Sequence, residues 1–125
     1  HCKRIVVTAC VNNVAFERPI PMGSIVTLEA KVSRAFSSSI EVFVDVWMED
    51  RTSGKKSHCN QAIYTFVAVD QLGSPILVPE VIPESEEEKT RYDGALRRRQ
   101  LSLILAGKMK PDDATELKAL FIPKV

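Results

Sequence analysis

At 125 residues the chain suits one compact domain with a single core rather than two. Hydrophobic residues make up 45% and charged residues 26%, ordinary proportions for a globular protein, and a net charge of +1 provides no concentrated basic surface for nucleic acid. No apolar run nears the roughly 20 residues that span a bilayer, and Cys2, Cys10 and Cys59 are too scattered for a disulfide framework or zinc site. The expectation is a reduced, cytoplasmic setting with no metal, no cofactor, no membrane and no nucleic-acid partner. A first residue of His, with no charged-then-apolar leader, reads as a piece of something longer.

The organisation is strands first, helices last. Residues 4–11 are rich in Val, Ile and Thr, as strands are. Asn12-Asn13 tolerates the turn conformations that β-branched residues avoid, so a hairpin or bulge is expected there before an extended path resumes over residues 14–17. Pro19 and Pro21 cannot both donate to a sheet ladder, which makes this stretch an edge or connector. Met22-Gly23-Ser24 then turns into a strand over residues 25–36.

Within that strand Val26, Leu28, Ala30 and Val32 alternate with Thr27, Glu29, Lys31 and Ser33, so one apolar face is expected to point inward. Ser37-Ser38-Ser39 makes the next turn. Ile40, Val42, Val44, Val46 and Met48 repeat the apolar face, while Glu41, Phe43, Asp45, Trp47 and Glu49 form a mixed one. Residues 50–57 read as a flexible hairpin loop. In the last strand, residues 58–69, Ile63, Val67 and Val69 alternate with Ala62, Tyr64, Phe66 and Ala68, leaving it apolar on both sides. Such a strand is either central beneath a helix or buried against a partner subunit.

After Pro83 the pattern becomes helical. Ser85 followed by Glu88 is a capping box, and Glu86 to Glu88 place negative charge at a helix N-terminus. The helix is expected to reach Ala106 and stop at Gly107, with Gly94 weakening its middle. Pro111-Asp112-Asp113 begins a second, shorter helix through about Phe121. The division expected is a sheet portion, residues 1–82, and a C-terminal helical extension of the same domain, residues 83–125.

Taken alone, the chemistry-bearing residues are plain. Asp45, Asp70 and Glu17 have no His close in sequence and read as solvated or ion-paired. His58, after Lys55-Lys56-Ser57, reads as exposed at a loop edge. Cys10 and Cys59 sit in apolar strands, where cysteine behaves as a small hydrophobe. No Gly-x-Ser-x-Gly elbow and no phosphate-binding glycine loop occurs. Ser37 to Ser39 would serve as a polar turn, and Arg97-Arg98-Arg99 as a solvated helix face.

The ordered run VVTACVNNVAFERPIPMGSIVTLEA, followed by SSSIEVFVDVW and by YTFVAVD at residues 64–70, resembles the hot-dog-fold acyl-CoA thioesterases, in their cytosolic acyl-CoA hydrolase branch. The resemblance implies an α+β hot-dog fold: an antiparallel sheet with C-terminal helices, its central helix missing from this chain. The implied function is an acyl-CoA thioesterase subunit that hydrolyses fatty acyl-CoA to free fatty acid and coenzyme A. Thioester hydrolysis needs an activated water or nucleophile and a group that stabilises the oxyanion. In the family an Asp on the central helix and a backbone amide near its start supply these. The match begins at the end of that helix, at His1-Cys2, so the expected Asp lies upstream and no catalytic residue is expected here.

For binding, the resemblance sets Val7, Thr8 and Ala9 beside the thioester. It puts Arg34, Ser37, Ser38 and Ser39 along the pantetheine path. Arg18 takes the Arg-Pro position, where an ion pair with Glu17 is the competing role. The implied partners are the acyl-CoA substrate and further copies of the chain, as a dimer or trimer of dimers. The alternative is a non-catalytic acyl-CoA-binding hot-dog module, ligand-sensing or structural.

Overall fold

Four strands, Ile5–Phe16 (β1), Ile25–Ala35 (β2), Ser39–Glu49 (β3) and Lys56–Val69 (β4), pair antiparallel in the order β1-β4-β3-β2. The computed structural model describes residues 1–119, apart from the side chains of residues 12–16. These residues fall into two compact units, one of residues 1–81 and one beginning at Ile82.

Asn12-Asn13 is a bulge site and not a hairpin. Asn12 pairs with Ile63 and Ala15 with Gln61, so β1 gains one residue on β4 there; a second is gained at Ala9, between Thr8 opposite Phe66 and Cys10 opposite Thr65. The β2–β3 turn closes with the Phe36 N–H donating to the Ser39 carbonyl at 2.8 Å. At the β3–β4 turn the Thr52 N–H donates to Asp50 Oδ1 at 2.8 Å, and Gly54 supplies a φ of 69°. That Thr52 backbone bond holds the Asp50 carboxyl below its ordinary pKa.

β4 pairs with β1 on one side and β3 on the other, so it is a central strand with both edges hydrogen-bonded. By register, Val42, Val44 and Val46 share a face with Val32, Ala30 and Leu28, and with Tyr64, Ala62 and Asn60. Glu41, Phe43 and Asp45 share the other with Thr65, Ile63 and Gln61. Burial departs from the expected inward face. Glu41, Phe43 and Asp45 are buried, whereas the three valines are half-buried and Leu28 is 67% exposed. Alternation says which residues share a face; it cannot say which face is covered. An apolar face this open is a surface built to be covered.

The two buried carboxylates are satisfied, as burial demands. Ser33 Oγ donates to Glu41 Oε1 at 2.6 Å, and Asp45 Oδ1 lies 2.9 Å from His58 Nε2. Beyond β4, Asp70 Oδ1 accepts from the Leu72 and Ser74 amides at 2.9 Å each and shapes the turn. The chain then returns beside the sheet, with the Ile76 N–H bonded to the Ala68 carbonyl and the Val78 N–H to that of Ser37.

In the second unit, helix α1 spans Glu86–Leu105 behind a complete Ser85–Glu88 capping box. It runs unbroken through Gly94 for a steric reason. Arg98 folds back so that Nη2 donates to the Arg91 carbonyl at 2.8 Å, and a Cβ on residue 94 would sit 2.6 Å from Arg98 Nη1. The expected second helix is instead a 3-10 turn, Pro111–Asp113, followed by α2, Thr115–Lys118. Ala114, with φ −86° and ψ 71°, interrupts it. Gln100 Oε1 accepts from the Leu117 N–H at 3.0 Å and ties α2 to α1. The expected end at Phe121 lies outside the described residues.

Candidate functional site

Seven of the eight binding positions expected from the sequence meet at one end of the sheet. Val67 on β4 pairs with Val7 on one side and with Ser39 on the other. Neighbouring strands lie about 4.8 Å apart, which puts Val7 and Ser39 about 10 Å from each other across β4. One residue along, Thr8, Phe66 and Ile40 make the parallel row. Ala9 is the bulged residue beside it, so the backbone leaves the regular ladder where the resemblance sets the thioester.

The serine turn is fixed by its backbone. The Ser37 carbonyl accepts from the Val78 amide at 2.9 Å, the Ser38 carbonyl from the Ala68 amide at 2.9 Å, and the Ser39 carbonyl from Phe36. Ser39 is buried, Ser38 half-buried and Ser37 exposed. Arg34, half-buried and opposite Glu41, carries its guanidinium over the Phe36 ring with Cζ 5.4 Å from the centroid, a cation–π arrangement. Tyr64 and Phe66 stack nearby at 6.2 Å. The end thus combines apolar strand surface, a backbone-fixed hydroxyl turn and one oriented cation.

Arg18 lies elsewhere. Its N–H and that of Glu17 both donate to the Cys59 carbonyl at 3.1 Å, and Cys59 precedes Val67 by eight residues of β4, roughly 25 Å at a strand's rise. There Arg18 lines a cleft of about 450 Å³ with Glu17, Pro19, Ile20 and Asn60. Asn60 Oδ1 is buried without a hydrogen-bond partner among the described residues. Glu17 turns its carboxylate to His58, with Oε2 3.9 Å from Nδ1, rather than serving only as a neighbour for Arg18.

His58 corrects the reading of an exposed loop residue. It is half-buried, bonded to Asp45 through Nε2, and its ring meets Trp47 edge-on at 5.0 Å and 74°. Asp45 therefore has the His partner that local sequence did not show. The two alternating strands, folded about the residue 50–55 turn, would have placed Asp45 near residues 58–61. The Cys59 bulge then swings His58 opposite Trp47, next to Asp45. A carboxylate can orient an imidazole for proton transfer. The thiol next in the chain does not complete such a site, since Cys59 is fully buried and its Sγ donates to the Val46 carbonyl at 3.2 Å.

The arginine run on α1 is also not a solvated face. Arg97, Arg98 and Arg99 are half-buried, Arg98 is committed to the Arg91 carbonyl, and burial lowers the pKa of Arg99. Among the described residues no three His, Cys, Asp or Glu side chains converge to hold a metal ion, and no helix is long and apolar enough to cross a membrane.

Comparison with known proteins bears on this geometry. A family model described as the thioesterase superfamily matches residues 1–55. YkhA of Bacillus subtilis, named as an uncharacterized acyl-CoA thioester hydrolase, is 41% identical over 98 residues, which are 78% of this chain and 57% of that protein. An apo-hexameric acyl-CoA thioesterase superposes with a TM-score of 0.80 at 34% identity, covering 85% of this chain and 68% of that one. The acyl-CoA hydrolase of Staphylococcus aureus, solved with butyryl coenzyme A, coenzyme A and coenzyme A disulfide, gives 0.77 at 38% identity, with 86% and 68% covered. The chain spans little more than half the length of the curated relatives it matches, or less. Its four-stranded antiparallel sheet agrees with these matches: the chain belongs to the thioesterase superfamily and has its hot-dog fold.

Proposed function

We propose that the chain is part of an acyl-CoA thioesterase that hydrolyses fatty acyl-CoA to free fatty acid and coenzyme A. The observation that carries this reading is the row Val7–Val67–Ser39, which joins a bulged outer strand and a backbone-fixed serine turn at one end of the sheet. The solved Staphylococcus relative, bound to coenzyme A, supports the choice of ligand.

On this reading Val7, Thr8 and Ala9 lie along the thioester. The bulge at Ala9 frees backbone hydrogen-bonding groups for the pantetheine amides. Ser37, Ser38 and Ser39 border the pantetheine arm, and Arg34, oriented on Phe36, lies along the same path. Arg18, about 25 Å along β4, serves the far end of the long ligand or a ligand held by a neighbouring copy. The open face of Val26, Leu28 and the β3 valines is covered in the assembled enzyme by the central helix, which brings the Asp that activates water. Residues 1–82 and 83–125 then act as the sheet portion of one hot-dog domain and its helical extension.

A homo-oligomer, as a dimer or trimer of dimers, fits the hexameric relative and the apolar surface left open in the single chain. A cytoplasmic setting fits the relatives named as cytosolic hydrolases. The test is release of coenzyme A thiol by the native protein from acyl-CoAs of several chain lengths. Release that saturates with substrate, with KM raised by Ser38→Trp, is the expected result. Coenzyme A binding without any release would replace the enzyme with a binding module.

A further inference from the structure

His58 sits where three parts of the sheet meet. Its Nε2 bonds Asp45 on β3, its Nδ1 faces the Glu17 carboxylate just past β1, and its ring rests edge-on against Trp47. The neighbouring residue, Cys59, is the β4 bulge, and its carbonyl takes the amides of both Glu17 and Arg18. These contacts fix the direction in which the chain leaves β1. Pro19 and Pro21 follow at once, and their locked φ angles make the connector stiff, so a turn at Glu17 is carried to Arg18 and Ile20.

We propose that His58 is a positioning residue: held by Asp45, it fixes Glu17 and thereby the placement of the Arg18 guanidinium over the cleft shared with Asn60. This rests on the reading of Arg18 as a coenzyme A contact. A half-buried imidazole bonded to a 7%-exposed carboxylate is a firmer anchor than two exposed side chains could make, which suits it to fix the stretch of backbone from which Arg18 projects.

Two readouts test it on the native protein. The first is affinity for coenzyme A by calorimetry in Arg18→Ala, His58→Ala and the double variant. Loss of a charge-assisted contact makes Arg18→Ala bind about tenfold more weakly. His58→Ala should weaken binding about threefold to tenfold, the double variant no more than Arg18→Ala alone, and His58→Gln, which keeps a donor for Asp45, should recover most of the loss. The second is hydrogen exchange of the segment carrying residues 17–24, which should quicken in His58→Ala and not in Arg18→Ala.

Additive losses, an affinity untouched by His58→Ala while Arg18→Ala weakens it, or unchanged exchange would each overturn the positioning role. An affinity untouched by Arg18→Ala would overturn the Arg18 reading itself, and the proposal with it. If His58→Ala does not fold, Glu17→Gln substitutes for it, with a smaller loss in the same direction expected and no loss overturning the proposal.

Discussion

The two ends of this sheet are held by different means. At the Val7–Ser39 end, the carbonyls of Ser37, Ser38 and Ser39 take backbone amides, so backbone bonds hold the turn. At the Arg18 end, side chains share the holding with the backbone: the Cys59 carbonyl takes the Glu17 and Arg18 amides, Asp45 grips His58, and His58 faces Glu17. The consequence is a difference in what mutation reads. At the first end, the exposed Ser37 and half-buried Ser38 should be changeable with little effect on folding. At the second end, changing a side chain alters the scaffold first.

The sharpest way to break this comparison is Asp45→Ala. It leaves a half-buried imidazole without its 2.9 Å partner and should cost about 2 kcal/mol, read as a lower urea midpoint at unchanged m-value. A variant as stable as the parent would remove the distinction between the ends. Next comes Ser38→Trp, which should raise KM for acyl-CoA about tenfold, equivalent to about 1.4 kcal/mol of binding, while the melting temperature holds. An altered melting temperature with unaltered KM would reverse the assignment. Smallest is Glu17→Gln, whose carboxylate is more than half exposed and 3.9 Å from His58; its effect on stability should stay within about 0.5 kcal/mol.

Much of the fold is legible in the sequence. Period-two runs marked β2 and β3, the proline pair marked the connector, and Ser85 with Glu88 marked the start of α1. The breaks were less legible, and each has a physical reason. Ala114 leaves helical geometry within a stretch whose composition reads as helical. Gly94 looked like a weak point, yet its missing side chain is what lets Arg98 reach the Arg91 carbonyl. Neither event leaves a local composition signal.

For the candidate site, the resemblance supplied the residues but not their distances. Val7 and Ser39 are 32 positions apart in sequence and share one cross-strand row through Val67. Arg18, far nearer to Val7 in sequence, sits at the opposite end. Strand pairing, not chain proximity, decides which residues can touch one ligand. The His58–Asp45 contact shows the same rule, since it depends on a hairpin register and on one extra residue at Cys59. The covering of the sheet was also beyond alternation: Glu41 and Asp45 are buried while Leu28 is exposed, because polar groups on a central strand can be satisfied by Ser33 and His58.

The most direct test of whether the Val7–Ser39 end takes coenzyme A is hydrogen exchange of the native protein with and without that ligand. Slower exchange across residues 5–11 and 36–40 is predicted, because the ligand's pantetheine arm would lie along β1 and the serine turn. Unchanged exchange in both segments at saturating coenzyme A would contradict the account.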